Sequence, residues 1–239
     1  MSHAEKIKPP PPFYEDDAIT LYHGNCLEIL PTLGTFDHVI TDPPYSLAVH
    51  SNATTNATIS RRKDLNFDHL TAATRAAAAE LMTAANRWIL VFSDVESCHL
   101  WRADLEAHGS QYIRTGSWNR HACPQISGDR PAAGFETITI AHRPGAKKWN
   151  GGGRSGVWEH RTARNGERWN HTTAKPLPLM KELVSLFTNP GDLIVDPFAG
   201  SGTTLRAAKD LGRKAIGIEQ SRQHCDTIRR RMSQETFSF

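Results

Sequence analysis

An α/β domain on a mostly parallel, twisted sheet, with helices on both faces, is predicted by three features of the sequence. Short apolar runs such as FDHVIT (Phe36–Thr41), WILVF (Trp88–Phe92) and LIV (Leu193–Val195) alternate with stretches of helical period. Three acids, Asp42, Asp196 and Glu219, each follow such a run directly. One of them, Asp196, also leads into a glycine-rich turn that opens a helix. Alternating strands and helices bury a sheet on both faces, which is how parallel sheets survive in water. Ligands in such sheets bind beyond the carboxyl ends of the strands, so the three carboxylates are expected to face one crevice.

The elements follow in order. Four consecutive prolines, Pro9 to Pro12, mark residues 1–17 as an extended, flexible lead-in. Residues 18–239 are read as a single domain. Ala18–His23 is a strand, Leu27–Leu33 a short helix interrupted at Pro31, and Phe36–Thr41 a second strand. Residues 46–68 form a long loop rich in Asn, Thr and Ser, with Arg61, Arg62 and Lys63 near its end; loops of this length in compact domains are usually functional. Thr71–Asn86 is an alanine-rich helix, Trp88–Phe92 a buried strand, and Glu96–His108 a helix that Gly109 ends. Gln111–Trp118 and Phe135–His142 are strands. Residues 144–170 differ in kind: Lys147, Lys148, Arg154, Arg161, Arg164 and Arg168 are interleaved with Trp149, Trp158, Trp169 and three consecutive glycines. Leu177–Leu186 returns to helical period, Leu193–Val195 and Lys214–Ile218 are strands around a helix ending near Leu211, and Ser221–Met232 is a basic helix.

Bulk composition narrows the function. The chain has 239 residues and a formal net charge of only +3, so its distribution of positive charge says more than its total. The four cysteines, Cys26, Cys98, Cys123 and Cys225, are scattered and form no CxxC pair, which suggests neither a disulfide framework nor a zinc ribbon. His121 and Cys123 lack a second pair of ligands, and no metal is expected. No apolar stretch approaches the roughly 20 residues of a membrane helix, and the polar start suggests no secretory signal. A cytoplasmic protein is the expectation.

Gly200-Ser201-Gly202 lies between a strand and a helix, where glycine lets backbone approach a ligand. The lysine of a phosphate loop is missing, as is the third glycine of the dinucleotide pattern. Glu219, ending the next strand, is placed to accept from a ribose diol. Together these leave a nucleoside ligand without a pyrophosphate, a description that S-adenosylmethionine fits; a purely structural turn is the competing reading. In Asp42-Pro43-Pro44-Tyr45, each proline disfavours helical backbone for the residue before it, and two amide donors are missing. An acid, free carbonyls and an aromatic face suit the amino group of a planar base. Asp42 and a carbonyl at Pro43 or Pro44 would accept its two N–H bonds, drawing the nitrogen toward tetrahedral geometry, while Tyr45 stacks on the ring. Positioning and electrostatics then do most of the chemical work.

TDPPY at Thr41–Tyr45, DPFAGSGTT at Asp196–Thr204 and HTTAKP at His171–Pro176 resemble motifs of the amino-group DNA methyltransferases. With the catalytic motif first, the cofactor motif last and a basic segment between them, the order is similar to the β group. That group is a circularly permuted version of the Rossmann-like S-adenosylmethionine methyltransferase fold. The resemblance covers Ile19 to Met232. It implies that Asp196, Phe198, Ala199, Gly200, Ser201, Gly202, Thr203 and Thr204 hold the methionine part of the cofactor, beside Asp42. Glu219 and Gln220 would hold its ribose. Asn25 and Cys26 would lie beside its adenine ring, where the family often has Asp in place of Asn25. His171, Lys175 and Pro176 would pack by its methionine end, and Ser93 and Asp94 would line the base pocket. Cys123, Pro124, Gln125, Arg130 and Glu136 resemble the stretch leading into the last strands, with a structural role equally open.

The implied reaction is methylation of N6 of adenine in double-stranded DNA, with the base flipped out and S-adenosylhomocysteine as product. The N4-cytosine enzymes more often carry Ser at the position of Asp42. The alternatives are N4-cytosine methylation, methylation of a protein glutamine or an RNA base, and a catalytically silent DNA-binding module. DNA contacts are expected from Arg61, Arg62 and Lys63, and from Lys147, Lys148, Trp149, Arg154, Trp158, Arg161, Arg164 and Arg168 in the recognition segment. A homodimer is implied by relatives.

Overall fold

The computed structural model describes residues 8–45, 70–120, 131, 133–162 and 174–234. Its nine strands form one sheet in the order β1-β2-β9-β8-β3-β4-β6-β5-β7. They are β1 (Tyr14–Glu15), β2 (Ile19–His23), β3 (His38–Thr41), β4 (Trp88–Ser93), β5 (Gln111–Asn119), β6 (Phe135–His142), β7 (Val157–Glu159), β8 (Leu193–Asp196) and β9 (Lys214–Glu219). The helices are α1 (Cys26–Ile29), α2 (Ala72–Met82), α3 (Cys98–Ala107), α4 (Leu177–Phe187), α5 (Thr203–Asp210) and α6 (Arg222–Met232).

Five central strands, β2, β9, β8, β3 and β4, run parallel. Their registers align Ile19 with Ala215, Ala215 with Ile194, Val195 with Val39 and Val39 with Ile89. The chain therefore leaves all five at one edge, after His23, Thr41, Ser93, Asp196 and Glu219. Beyond this block the sheet turns antiparallel, β4 to β6 and β6 to β5, and β7 closes it parallel to β5. Every residue of β3 and of β4 is buried, as the continuous apolar run of β4 requires of a strand covered on both faces. Alternate residues point to opposite faces. Ile40, Leu90, Phe92 and Ile194 meet Leu179, Leu183 and Phe187 on one side, and Val39, Ile89, Val91 and Val195 meet Met82, Trp101 and Leu105 on the other. Among the described residues no helix is long and apolar enough to cross a membrane.

Local chemistry sets the element ends. Asn25 caps α1, its Oδ1 accepting from the Leu27 amide at 3.0 Å, and Pro31 sits in the tight turn Leu30–Thr32 that follows. Thr71 caps α2 by accepting from the Thr74 amide at 3.1 Å. That helix stops at Met82 rather than at Asn86, because the amides of Asn86 and Arg87 bond the carbonyls of Phe36 and Asp37 and tie the chain to the start of β3.

Two expectations are corrected. The lead-in is not flexible through residue 17: β1 pairs with β2, and the Phe13 ring lies 4.3 Å from the Arg222 guanidinium. Asp16 holds the turn between the strands, accepting from the Ala18 and Ile19 amides, the Tyr14 hydroxyl and Lys209. The segment 144–170, where the sequence marked no strand, also carries the edge strand β7 at Val157–Glu159.

Burial pushes the Asp16 carboxyl up, but Lys209, Tyr14 and the two amides outweigh it and bring it down to about 2. A depressed carboxylate stabilises the fold above its unfolded value and loses that contribution as the pH falls toward its folded value. Asp16→Ala is therefore expected to cost roughly 1–2 kcal/mol at neutral pH, after allowance for its partial exposure. In urea titrations the gap between variant and wild type should close as the pH drops from about 4 to about 2; a gap independent of pH would count against this anchor.

Candidate active site at the carboxyl edge

The three acids expected at one crevice leave neighbouring strands of the parallel block. Asp42 follows β3, Asp196 ends β8 and Glu219 ends β9. The Thr41 hydroxyl donates to Asp196 Oδ1 at 2.7 Å, which joins the Asp-Pro-Pro-Tyr strand directly to the strand of the glycine turn. The Phe198 amide donates to the same oxygen at 3.2 Å. Burial pushes the Asp196 carboxyl up to about 6 in spite of these donors, and the nearby Asp42 charge adds to the effect.

Asp42 lies in a closed network of charges. Lys175, just before α4, has a side chain only 7% exposed, and its ammonium donates to Asp42 Oδ2. The same nitrogen lies 3.1 Å from Glu136 Oε2 and 3.4 Å from the Tyr45 hydroxyl, 5.0 Å from the centre of the Phe92 ring. Tyr45 donates to Glu136 Oε2 at 2.6 Å, and Arg120 donates to Glu136 Oε1 at 3.1 Å. Asp42 Oδ1 is buried and has no hydrogen-bond partner. Burial raises the Asp42 carboxyl above its usual range, opposed by Lys175 and assisted by Glu136. Burial alone would lower Lys175, but the two carboxylates hold it above its ordinary value. The Tyr45 phenol is driven well above 10 by burial and by Asp42 and Glu136, so it stays protonated and donates.

The glycine turn is built tightly. Gly200 and Gly202 both have positive φ, 53° and 73°, and Gly202 caps α5 where a Cβ would press on Ile228 at 3.0 Å. The Ala199 amide bonds the Ile218 carbonyl at 3.0 Å, seating the turn against β9. Arg231 donates to the Ser201 carbonyl and to the Thr203 hydroxyl, both at 3.0 Å. Thr204 is buried and hydrogen-bonded to Asp196. Glu219 accepts from the Gly200 amide through Oε2 and from the Ser221 amide through Oε1, each at 2.8 Å, which fixes the direction of its remaining lone pairs. The Gln220 carbonyl lies 3.0 Å from His23 Nε2, and Cys26 is buried beside this edge, its thiol pushed up to about 11 by burial. Pro176 is buried where α4 begins.

A family model described as a DNA methylase, of the N6/N4 amino-methyltransferase class, matches residues 36–230. The chain belongs to this DNA methylase family. The type II methyltransferase M2.LlaDCHI of Lactococcus lactis subsp. cremoris is 25% identical over 93% of this chain and 92% of its own length. Among solved structures, the M1.HpyAVI–SAM complex is 24% identical with a TM-score of 0.70, covering 90% of this chain and all of that one. The PvuII DNA methyltransferase, described as cytosine-N4-specific, is 15% identical with a TM-score of 0.74, covering 95% and 90%. The permuted Rossmann-like fold, with its mixed sheet and flanking helices, is shared with these structures.

In this DNA methylase the basic insert is distributed differently from the sequence expectation. β6 runs antiparallel to β4 and ends where His142 pairs with Trp88, so the chain emerges at the amino edge, away from Asp42. Lys147 and Lys148 lie there, the first donating to Gln111 at 2.9 Å and the second lending its carbonyl to the Trp88 indole at 2.7 Å. Trp149 packs on Phe187 and donates to the Gly152 carbonyl, and Arg154 is paired with Glu182 at 3.3 Å. Trp158, 3% exposed, is a core residue packed against Gly116 and Phe187 and cannot stack on DNA. Lys147, Lys148 and Trp149 thus lie at the edge of the sheet opposite Asp42, and Trp158 is buried in the core. β7 carries the chain back toward the carboxyl edge, where Arg161 is exposed. Arg61, Arg62, Lys63, Arg164, Arg168 and His171 fall outside the described residues, as do Cys123, Pro124, Gln125 and Arg130.

Lys175 is placed on Asp42, a contact that the motif resemblance did not suggest. Ser93 ends β4 and Asp94 follows it, beside Pro44 and Tyr45 in a small cavity that they share with Arg75, Ser97 and Trp101. Sequence reasoning assigned no role to Arg120 or Trp118, and for Glu136 offered only the resemblance to the stretch leading into the last strands. Trp158→Ala is expected to destabilise the methylase by roughly 3–5 kcal/mol in denaturant titrations, as for other buried large aromatics. A fully stable variant with weakened DNA binding would reverse this assignment.

Proposed function

We propose that the protein is a site-specific methyltransferase that modifies N6 of adenine in double-stranded DNA, with S-adenosylmethionine as donor. The observation that carries this reading is Asp42: one carboxylate oxygen is fixed by Lys175, which also lies over the Tyr45 ring, while the other is buried and unpartnered. A buried acceptor without a partner is costly in the free protein and suits an incoming N–H. Asp42 Oδ1 and a carbonyl at Pro43 or Pro44 accept from the amine of the target base, and Tyr45 offers its ring face for stacking. Extruding the base costs a few kcal/mol, which stacking partly returns. Asp42 rather than Ser at this position favours adenine over cytosine.

The residues present fit the cofactor. Asp196, a buried carboxylate raised by its surroundings, and the oriented acceptors of Glu219 suit a ligand that carries cationic groups and a ribose diol. Phe198, Ala199 and the turn Gly200–Thr204 would hold its methionine portion, Glu219 and Gln220 its ribose, and Asn25 and Cys26 its adenine side. When bound, the cofactor supplies an electrophilic methyl group. Lys175 belongs to the base side of the site through Asp42. Arg161, with Arg61, Arg62, Lys63, Arg164 and Arg168, is proposed to engage phosphates or base edges, and the protein is proposed to act in the cytoplasm as a homodimer.

Asp42→Ala should reduce methyl transfer at least about 10³-fold while leaving cofactor affinity within about twofold, read by tritiated-methyl incorporation and calorimetry. Methylation-sensitive sequencing of DNA from a host expressing the protein should find N6-methyladenine in one short context; N4-methylcytosine would overturn the choice of base. Neutralising Arg161 should weaken DNA binding and flatten its salt dependence, whereas Lys147→Ala and Lys148→Ala should not. Equal losses from all three would refute the assignment of edges.

Asp196 has a raised carboxyl, so it takes up a proton before ordinary carboxylates do. The apo fold is thereby favoured at low pH, and the negative charge facing the cofactor is present only above about 6. Cofactor affinity is expected to fall as the pH is lowered through about 6, and a flat calorimetric profile across that range would remove Asp196 from the binding set.

A further inference from the structure

Glu136 is the second residue of β6, opposite Trp118 on β5, and its side chain is 13% exposed. Burying a carboxylate is expensive unless donors surround it. Here there are three: Arg120 on Oε1, and the Tyr45 hydroxyl and the Lys175 ammonium on Oε2. Two of the three reach it from the opposite side of the site, one from the Asp-Pro-Pro-Tyr segment and one from the segment leading into α4. Two anions, Asp42 and Glu136, and two cations, Lys175 and Arg120, close into one neutral network.

Lys175 has three N–H donors on a flexible stem. Without Glu136 its only charged partner would be Asp42, and the ammonium would be free to move across both carboxylate oxygens. Glu136 pulls from the other side, and the rings of Tyr45, Phe92 and Trp118 lie 5.4, 5.0 and 5.9 Å from the nitrogen. Lys175 then reaches Asp42 through Oδ2 alone, and Oδ1 stays free. The same carboxylate holds the Tyr45 hydroxyl at 2.6 Å, which fixes the ring torsion and gives the phenol proton an acceptor other than Asp42.

We propose that Glu136 is a positioning residue for methyl transfer: by anchoring Lys175 and Tyr45 it makes Asp42 present a single free oxygen to the target amine. The inference rests on the reading of Asp42 as the amine acceptor.

The test uses the full-length protein with S-adenosylmethionine and a duplex carrying its methylation site, comparing wild type with Glu136→Gln, Tyr45→Phe and Asp42→Ala. Glu136→Gln keeps the shape and removes the anchoring charge. Its kcat should fall about 10- to 100-fold, with KM for cofactor and DNA within about threefold, the signature of lost alignment rather than lost binding. The acid limb of its kcat–pH profile should move to lower pH, because the Glu136 charge that disfavours ionised Asp42 is gone. A kcat within about twofold of wild type, or a raised KM with kcat and profile unmoved, would overturn the proposal. Should Glu136→Gln fail to fold, Tyr45→Phe decides, since it keeps the ring and removes the hydroxyl that donates to Glu136 and lies 3.4 Å from Lys175: a severalfold fall in kcat with KM unmoved supports the anchor and a wild-type kcat refutes it. An active Asp42→Ala would remove the underlying reading, whereas an inactive Asp42→Ala beside an unaffected Glu136→Gln would remove the positioning role alone.

Discussion

Parallel register across β2, β9, β8, β3 and β4 is the constraint from which the site follows. Because the five strands point the same way and stop together, segments distant in sequence emerge side by side. The Thr41 hydroxyl on Asp196 closes the distance between two of them with one hydrogen bond, across 155 positions of chain. The glycine turn, seated on β9 through the Ala199 amide, completes a floor on which neither acid needs a long side chain to reach the shared crevice. Gly217 keeps that floor thin, since a Cβ there would meet Leu205 at 2.7 Å and Ala199 at 3.2 Å.

The edge is electrostatically expensive. Asp196 and Lys175 are buried and Asp42 and Glu136 part-buried, and the network around Lys175 offsets part of the cost. The remainder includes the unpartnered Asp42 oxygen, the unpartnered Arg120 Nε and Asp94 Oδ2, and the raised Asp196 carboxyl. Unsatisfied groups in a native core are ordinarily removed by selection for stability, and their persistence at an active edge is the usual signature of stored binding potential. The opposite edge shows the contrast. There His38, Arg87 and the Asn189 amide all converge on Asp192, whose carboxyl is brought below its usual range although burial opposes this.

What the sequence made legible follows the same physics. The parallel strands stood out because burial on both faces leaves uninterrupted apolar runs, and the acids after Thr41 and Val195 marked their ends. The short β7 was hidden among glycines and arginines, since it has three residues, of which Val157 and Glu159 face solvent and only Trp158 is buried. The direction of the basic insert depended on β6 being antiparallel, a choice of topology that no local pattern records. Glu136 was visible as a residue but not as a partner, because the two groups that define it, Tyr45 and Lys175, lie 91 and 39 positions away. Lys175 illustrates the converse, a motif residue whose type stood out but whose bond to Asp42 did not.

The clasp at Lys209 has a consequence for how such a domain tolerates rearrangement. Its ammonium joins Asp16, ahead of the second strand, to the Met232 carbonyl at the close of α6, while Phe13 rests against the guanidinium groups of Arg222 and Arg229. The earliest and latest elements of the sheet-bearing region are thus spatial neighbours. Because β1 and α6 are held together in this way, the strands between them share one interior whichever loop joins them in sequence.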